Sequence, residues 1–105
     1  HMREEDRPIP FPNIIYVGDG MTDVPCMTVT KRNGGHAVAV HKVRSRRTIQ
    51  TCKGLLDAGR IDYLAPADYR RGKMLERRVT LLLDLIVAKI RHREEVFKCR
   101  RAAGK

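Results

Sequence analysis

Two aspartates, Asp19 and Asp23, stand just after the apolar run at residues 14–17, with three residues between them. Small and hydroxyl residues lie beside the aspartates: Gly18, Gly20 and Thr22. A short β-branched and aromatic run bounded by turn residues is typical of a buried parallel strand. Ligands of open α/β sheets bind at the carboxyl ends of the strands. The sequence therefore places two carboxylates where such a sheet would bind a ligand.

Nucleotide-binding loops do not explain this segment. A GxGxxG fingerprint would require glycine at position 23, where the chain has Asp23, and a carboxylate there would repel a pyrophosphate. The GxxxxGK(S/T) phosphate loop is absent from the sequence. The alternating acidic ligands of an EF-hand loop are also missing.

Two interpretations of the aspartates remain open on spacing alone. In the first, Asp19 and Asp23 bind one Mg²⁺ ion, which prefers one or two carboxylates together with water and phosphate oxygens. Gly18 and Gly20 would then let the backbone approach a ligand closely, and Thr22 would reach a phosphate or a metal-bound water. In the second, Asp19 shapes a turn while Thr22 or Asp23 caps the next helix.

The rest of the chain alternates strand and helix. Strands are predicted at residues 14–17, 36–40 and 61–65, and helices at 22–32, 44–58 and about 70–100. The last helix carries one apolar stripe: Leu75, Val79, Leu82, Leu83, Ile86 and Ile90. This β-α-β-α-β-α order predicts an α/β fold, a partial Rossmann-like parallel sheet of about three strands that ends in a long helix.

The segment IIYVGDGMTDVPCM, followed by GGHAVAV, resembles the fourth motif of the haloacid dehalogenase superfamily, a hydrophobic strand followed by GDxxxD. Gly18, Asp19 and Asp23 fall on that pattern, and IDYLAPADYRRG is similar to the C-terminal part of a phosphatase-like member. The resemblance implies a haloacid-dehalogenase-like fold and a Mg²⁺-dependent hydrolase that acts through an aspartyl-phosphate. It implies that Asp19 and Asp23 help to bind the metal, and that the substrate is a phosphorylated small molecule.

The sequence departs from that family in one decisive respect. The family's nucleophile lies in a DxDx(T/V) motif, and this chain contains no DxD. The lysine of the family's third motif should precede the fourth, but the first lysine is Lys31. We interpret residues 1–2 as a tag scar and residues 3–105 as the C-terminal part of a core domain. This chain is therefore expected to be inactive alone, because a nucleophilic mechanism needs its nucleophile.

The formal net charge of +10 is concentrated in residues 70–105, which carry 12 basic and 4 acidic side chains. One alternative function is thus a non-enzymatic basic module that binds nucleic acid or a protein partner through the last helix. A solvated helix face explains the same charges, and a nucleic-acid partner is not expected. Self-association is expected, through the helix stripe or an exposed strand edge, because a three-stranded parallel sheet leaves apolar surface uncovered.

Further residues carry weaker expectations. The three cysteines are widely spaced and form no CxxC pair, which favours a reducing compartment and a cytoplasmic location. No apolar run is long enough to span a membrane, and no membrane partner is expected. Asp68 is expected to cap the long helix. Structural or surface roles are expected for four basic residues: Lys31, Arg32, His36 and His41.

Overall fold

The computed structural model describes residues 9–42 and 44–104. Three strands alternate with three helices, after a short 3-10 helix at Phe11–Asn13. The strands are β1 (Ile15–Asp19), β2 (His36–His41) and β3 (Tyr63–Pro66), and the helices are α1 (Val24–Arg32), α2 (Arg46–Asp57) and α3 (Met74–Ala103). The α/β class, the element order and the long final helix are confirmed.

The three strands form one parallel sheet in the order β1-β2-β3. Since parallel crossovers are right-handed, successive crossovers that move in one direction put their helices on the same face. The packing agrees with this rule: Met27 of α1 and Cys52 and Leu55 of α2 share one core cluster with Ala37 and Ala39 of β2. The alanines are small, so both helices can lie close to the central strand.

The opposite face of the sheet is covered by α3. Leu75 and Leu82 of this helix pack with Val38 and Val40 of β2, in a second cluster that includes Ala65 of β3. All six residues of β2 are buried. Coverage on both faces explains why this strand reads as a nearly continuous apolar run.

The long helix begins later, and buries a narrower stripe, than the sequence predicted. It starts at Met74 rather than near residue 70, after a loop in which Gly72 adopts a φ of 80°. Leu75, Leu82 and Ile86 are buried, but Leu83 is 49% exposed, so its assignment to the inward stripe was wrong. Leu83 is rotated by about 100° from Leu82 around the helix, which carries it beyond the contact with a flat sheet.

The final helix is much longer than the sheet that it covers. Its 30 residues span about 45 Å, whereas the six residues of β2 span about 20 Å. The molecule is consequently elongated, with a longest dimension of 60 Å. No helix in the described ranges is both long and apolar enough to cross a membrane.

The stripe of α3 is buried against the sheet at Leu75, Leu82 and Ile86, so the prediction that copies associate through this stripe was wrong. We expect the chain to form a dimer or a larger oligomer through the exposed apolar side chains that flank the stripe. Four large apolar side chains beside the buried stripe are 42–56% exposed, with Leu81 and Leu85 on one side of it and Leu83 and Val87 on the other. Burying them between copies would remove apolar surface from water. The expected result is an oligomer at micromolar concentration in light scattering.

The matched variants separate apolar contact from added charge. Leu81→Glu with Leu85→Glu should return the chain to a monomer, whereas Thr80→Glu with Ala88→Glu adds the same charge at exposed polar or small positions of α3 and should not. A clean monomer for the unaltered chain would contradict self-association.

Candidate functional site

The two aspartates lie on one turn at the carboxyl end of β1. Asp19 is the last residue of the strand and is paired in register with Val40 of β2. The backbone carbonyl of Asp19 accepts hydrogen bonds from the N–H groups of Thr22 at 3.3 Å and Asp23 at 2.9 Å. The N–H of Gly20 donates to the Val40 carbonyl at 3.3 Å, which ties the turn to the central strand. The position predicted for both carboxylates is therefore confirmed.

Each aspartate uses one carboxylate oxygen to hold the turn. Asp19 Oδ1 accepts a hydrogen bond from the Met21 N–H at 2.6 Å, and Asp23 Oδ2 accepts one from the Asp19 N–H at 2.8 Å. The remaining oxygens, Asp19 Oδ2 and Asp23 Oδ1, accept no hydrogen bond from any other residue in the described ranges. The turn thus fixes both side chains and leaves each with an oxygen for a ligand.

Close packing, rather than an unusual backbone conformation, is the reason for the glycines of this turn. Neither Gly18 nor Gly20 has a positive φ. A Cβ on Gly18 would lie 2.8 Å from Asp23 Oδ2, and a Cβ on Gly20 would lie 2.5 Å from Cys52 Sγ. Gly18 therefore allows Asp23 to fold back onto the strand, and Gly20 allows α2 to pack against the turn.

The side-chain caps expected for α1 do not form. Asp23 occupies the N-cap position, but its side chain makes no capping hydrogen bond because Oδ2 is directed to the Asp19 N–H. Thr22 is exposed and takes part in the turn through its backbone N–H. The turn-shaping role of Asp19 is confirmed, while capping by Thr22 or Asp23 was wrong.

The negative charge of the aspartates affects two neighbouring groups. Burial and the nearby Asp19 carboxylate raise the pKa of the Cys52 thiol. The pKa of Tyr16 is raised by its hydrogen bond with Cys26, by burial and by the charge of Asp23. No basic side chain of the described ranges forms an ion pair with Asp19 or Asp23. Neither carboxylate is therefore paired directly with a basic side chain in these ranges.

The donor set suits Mg²⁺. Within residues 9–42 and 44–104, no three His, Cys, Asp or Glu side chains come together in a metal-binding group, so a cation here would have two aspartates as its protein ligands. Mg²⁺ commonly retains several waters and uses only one or two carboxylates. The residues present would fit this ion, with Asp19 and Asp23 as its ligands.

Asp68 does not cap the long helix. Its carboxylate accepts hydrogen bonds from Arg70 Nε at 2.9 Å and Arg70 Nη2 at 2.7 Å, and Lys73 occupies the N-cap position of α3. The hydrogen bonds from Arg70 lower the pKa of Asp68 to about 2. The expected cap was wrong because α3 begins only at Met74, too far along the chain for Asp68 to be its N-cap, and the Asp68 carboxylate pairs with Arg70 instead.

Lys31 and His36 lie near the amino ends of the strands, whereas the aspartates lie at the carboxyl end of β1. Lys31 Nζ forms an ion pair with Asp62 Oδ1 at 2.8 Å, and Asp62 Oδ2 accepts a hydrogen bond from the Ala37 N–H. His36 is buried, with Nδ1 3.8 Å from Asp62 Oδ2. Lys31 is therefore part of a structural ion pair rather than simply solvated.

A pocket of about 450 Å³ adjoins Asp19 at the carboxyl edge of the sheet. Asp19 contributes to its polar lining, together with basic and hydroxyl side chains from the end of β2 to the start of α2: His41, Lys42, Ser45, Arg47 and Thr48. Sequence reasoning missed this pocket. The signal was the segment HKVRSRRT, which begins at the carboxyl end of the second predicted strand.

No protein-family model, curated protein or solved structure matches this chain.

Proposed function

We propose that this chain carries the metal-binding half of a Mg²⁺-dependent phosphohydrolase site of the haloacid-dehalogenase kind, that of a phosphatase. One observation carries the proposal. Asp19 and Asp23 lie on a hydrogen-bonded turn at the carboxyl end of a parallel strand, and each retains a carboxylate oxygen outside the turn's own hydrogen bonds. The spacing of these residues in the GDxxxD pattern supports the same conclusion.

The chain's residues would bind and orient, while the ion supplies electrostatic chemistry. When bound, Mg²⁺ screens a substrate phosphate from the carboxylates and stabilises charge during phosphoryl transfer. The hydrogen bonds from the N–H groups of Met21 and Asp19 hold the two carboxylates in place before the ion arrives. Such preorganisation reduces the ordering that binding requires.

This chain would not supply the nucleophile of the proposed phosphohydrolase site, because its sequence has no DxDx(T/V) motif. The chain alone would bind Mg²⁺ and phosphate without turnover, and a phosphorylated small molecule would be the substrate of the complete site. The two exposed free thiols, Cys26 and Cys99, suit a reducing compartment, and we place the protein in the cytoplasm on that ground.

A basic binding module is the second candidate. Helix α3 has eight Lys and Arg residues, but four acidic residues lie among them. Its exposed Phe97 is within cation–π distance of Arg101, 5.7 Å from the guanidinium carbon to the ring centroid, and is therefore already in contact with a side chain. This mixed surface favours a solvated helix over a nucleic-acid interface.

Phosphate binding in the presence and absence of Mg²⁺ tests the proposal. Inorganic phosphate should bind more tightly when Mg²⁺ is present, and Asp19→Asn should abolish that increase. If the chain is instead a basic binding module, it should bind an oligonucleotide with an affinity that falls steeply as salt is added and that Asp19→Asn leaves unchanged. Equal phosphate affinity with and without Mg²⁺ would contradict the proposed function.

A further inference from the structure

The pocket beside Asp19 joins a region of negative charge to a region of positive charge. Asp19 forms part of one wall, while Lys42 and Arg47 contribute to the rest. An anion in the pocket is repelled by the Asp19 carboxylate and attracted by these two cations. The favourable place for an anion is therefore the side formed by Lys42 and Arg47.

His41 provides a polar group at this pocket that the fold does not use fully. The residue is only 7% exposed, yet it contributes to the pocket lining. Its Nδ1 lies 3.0 Å from the carbonyl oxygen of Lys42, so this nitrogen carries a proton and donates it to the carbonyl. Its Nε2 makes no hydrogen bond to any residue in the described ranges. With Nδ1 protonated, Nε2 of the neutral ring is an acceptor, so this largely buried imidazole can accept a hydrogen bond from a hydroxyl of a ligand, such as the P–OH of a singly charged phosphate.

The start of α2 adds donors to the same wall. Ser45 is the N-cap, and its Oγ accepts a hydrogen bond from the Thr48 N–H at 3.3 Å. The backbone N–H groups of Arg46 and Arg47 lie in the first turn, where α-helices have no internal partner for them. These two N–H groups favour a negatively charged group at the start of α2. The guanidinium of Arg47 adds to this preference, because it can bind an oxyanion through two parallel hydrogen bonds.

We propose that this pocket binds a second anionic group of the substrate, a phosphate or a carboxylate, separate from the phosphoryl group that would be held at Asp19 and Asp23. The inference rests on the proposed function and adds the substrate class, a phosphomonoester that carries another anion. The volume of about 450 Å³ falls in the range of small-molecule sites and leaves room for more than one group.

The first experiment is a titration of the whole chain with inorganic phosphate in the absence of Mg²⁺, followed by amide NMR. Phosphate should shift the signals of Ser45, Arg47 and Thr48. Arg47→Gln should weaken this binding by about tenfold, the effect of losing a charge-assisted contact. The control Arg77→Gln removes the same charge from α3, at an exposed position outside the pocket lining, and should change the affinity by less than about twofold.

Sodium acetate, titrated in the same way, identifies the group: tighter binding of phosphate indicates a second phosphate, and tighter binding of acetate indicates a carboxylate. No shift at residues 45–48 with either anion would overturn the inference. Equal weakening by Arg47→Gln and Arg77→Gln would also overturn it, because the general positive field would then explain the binding.

Addition of Mg²⁺ distinguishes the anionic group bound in the pocket from the phosphoryl group that would be held at Asp19 and Asp23. Phosphate should remain at residues 45–48 while further phosphate binds in an Asp19-dependent manner. If Mg²⁺ instead draws the single phosphate away from residues 45–48, the pocket holds no second group and the inference fails while the proposed function stands. If phosphate binds at residues 45–48 and no Asp19-dependent binding follows, the proposed function fails and the pocket remains an anion site.

Discussion

Asp19→Asn is expected to weaken Mg²⁺ binding by roughly tenfold to a hundredfold without unfolding the chain. The amide oxygen of asparagine can still accept the Met21 N–H bond that shapes the turn, while the negative charge on the other oxygen is lost. Asp23→Asn should act in the same direction, since its oxygen can still accept the Asp19 N–H. Isothermal titration calorimetry with MgCl₂ measures both effects.

The control for this pair is Asp57→Asn. Asp57 is exposed at the end of α2, outside the turn that bears the two aspartates, and its change removes the same charge. It should leave Mg²⁺ affinity within about twofold, because exposed distant charges are screened. If Asp19→Asn and Asp57→Asn reduced the affinity equally, the ion would be responding to net charge rather than to a site.

Gly18→Ala is expected to destabilise the fold by about 1–3 kcal/mol and to weaken Mg²⁺ binding together with it. The new Cβ would lie 2.5 Å from Tyr16 Cε1 and 2.8 Å from Asp23 Oδ2, so one or both side chains must move. Displacing Asp23 breaks its hydrogen bond with the Asp19 N–H and removes one proposed ligand from its position. Urea denaturation gives the free energy of unfolding, and calorimetry gives the metal affinity.

Gly54→Ala is the matched control, and it is expected to raise the free energy of unfolding that Gly18→Ala lowers. Gly54 lies inside α2, its φ is not positive, and a Cβ there would meet nothing within 4 Å. Alanine should therefore stabilise the helix by roughly 0.5–1 kcal/mol and leave Mg²⁺ binding unchanged. Equal stability of Gly18→Ala and the unaltered chain would show that the turn accommodates a side chain and that Asp23 is not held as described.

Local patterns were sufficient to predict the order of elements and several of their ends. The apolar run at the second strand is buried on both faces, which is the arrangement that such runs indicate. Gly34 and Gly59 follow the first two helices and adopt φ values of 89° and 72°, the left-handed conformation in which glycine commonly ends a helix. These features depend on neighbouring residues, so the sequence contains the information directly.

Features that depend on tertiary contacts were not predictable in the same way. Asp68 has the residue type of a helix cap, but its carboxylate binds Arg70, and α3 begins only at Met74. Arg78 donates to the carbonyl of Leu64, which links α3 to β3 across a long stretch of chain. The pair of Lys31 and Asp62 is similarly invisible from spacing, because 31 positions separate them.

The candidate site likewise has features that local sequence predicts and features that depend on tertiary contacts. The location of Asp19 and Asp23 followed from the strand before them, whereas the reason for Gly18 required the position of the Asp23 side chain. The pocket was missed because its lining comes from three separate parts of the chain: the β1 turn, the β2–α2 connection and the loop after β3.

An amide NMR titration of the unaltered chain with Mg²⁺ tests the metal-binding role of the turn most directly. The expected result is a well-dispersed spectrum in which the saturable shifts are confined to residues 18–23, with no effect of the same concentration of K⁺. A dispersed spectrum that shows no chemical-shift change on addition of Mg²⁺ would contradict the proposed function. Asp19 and Asp23 would then be residues that shape the turn.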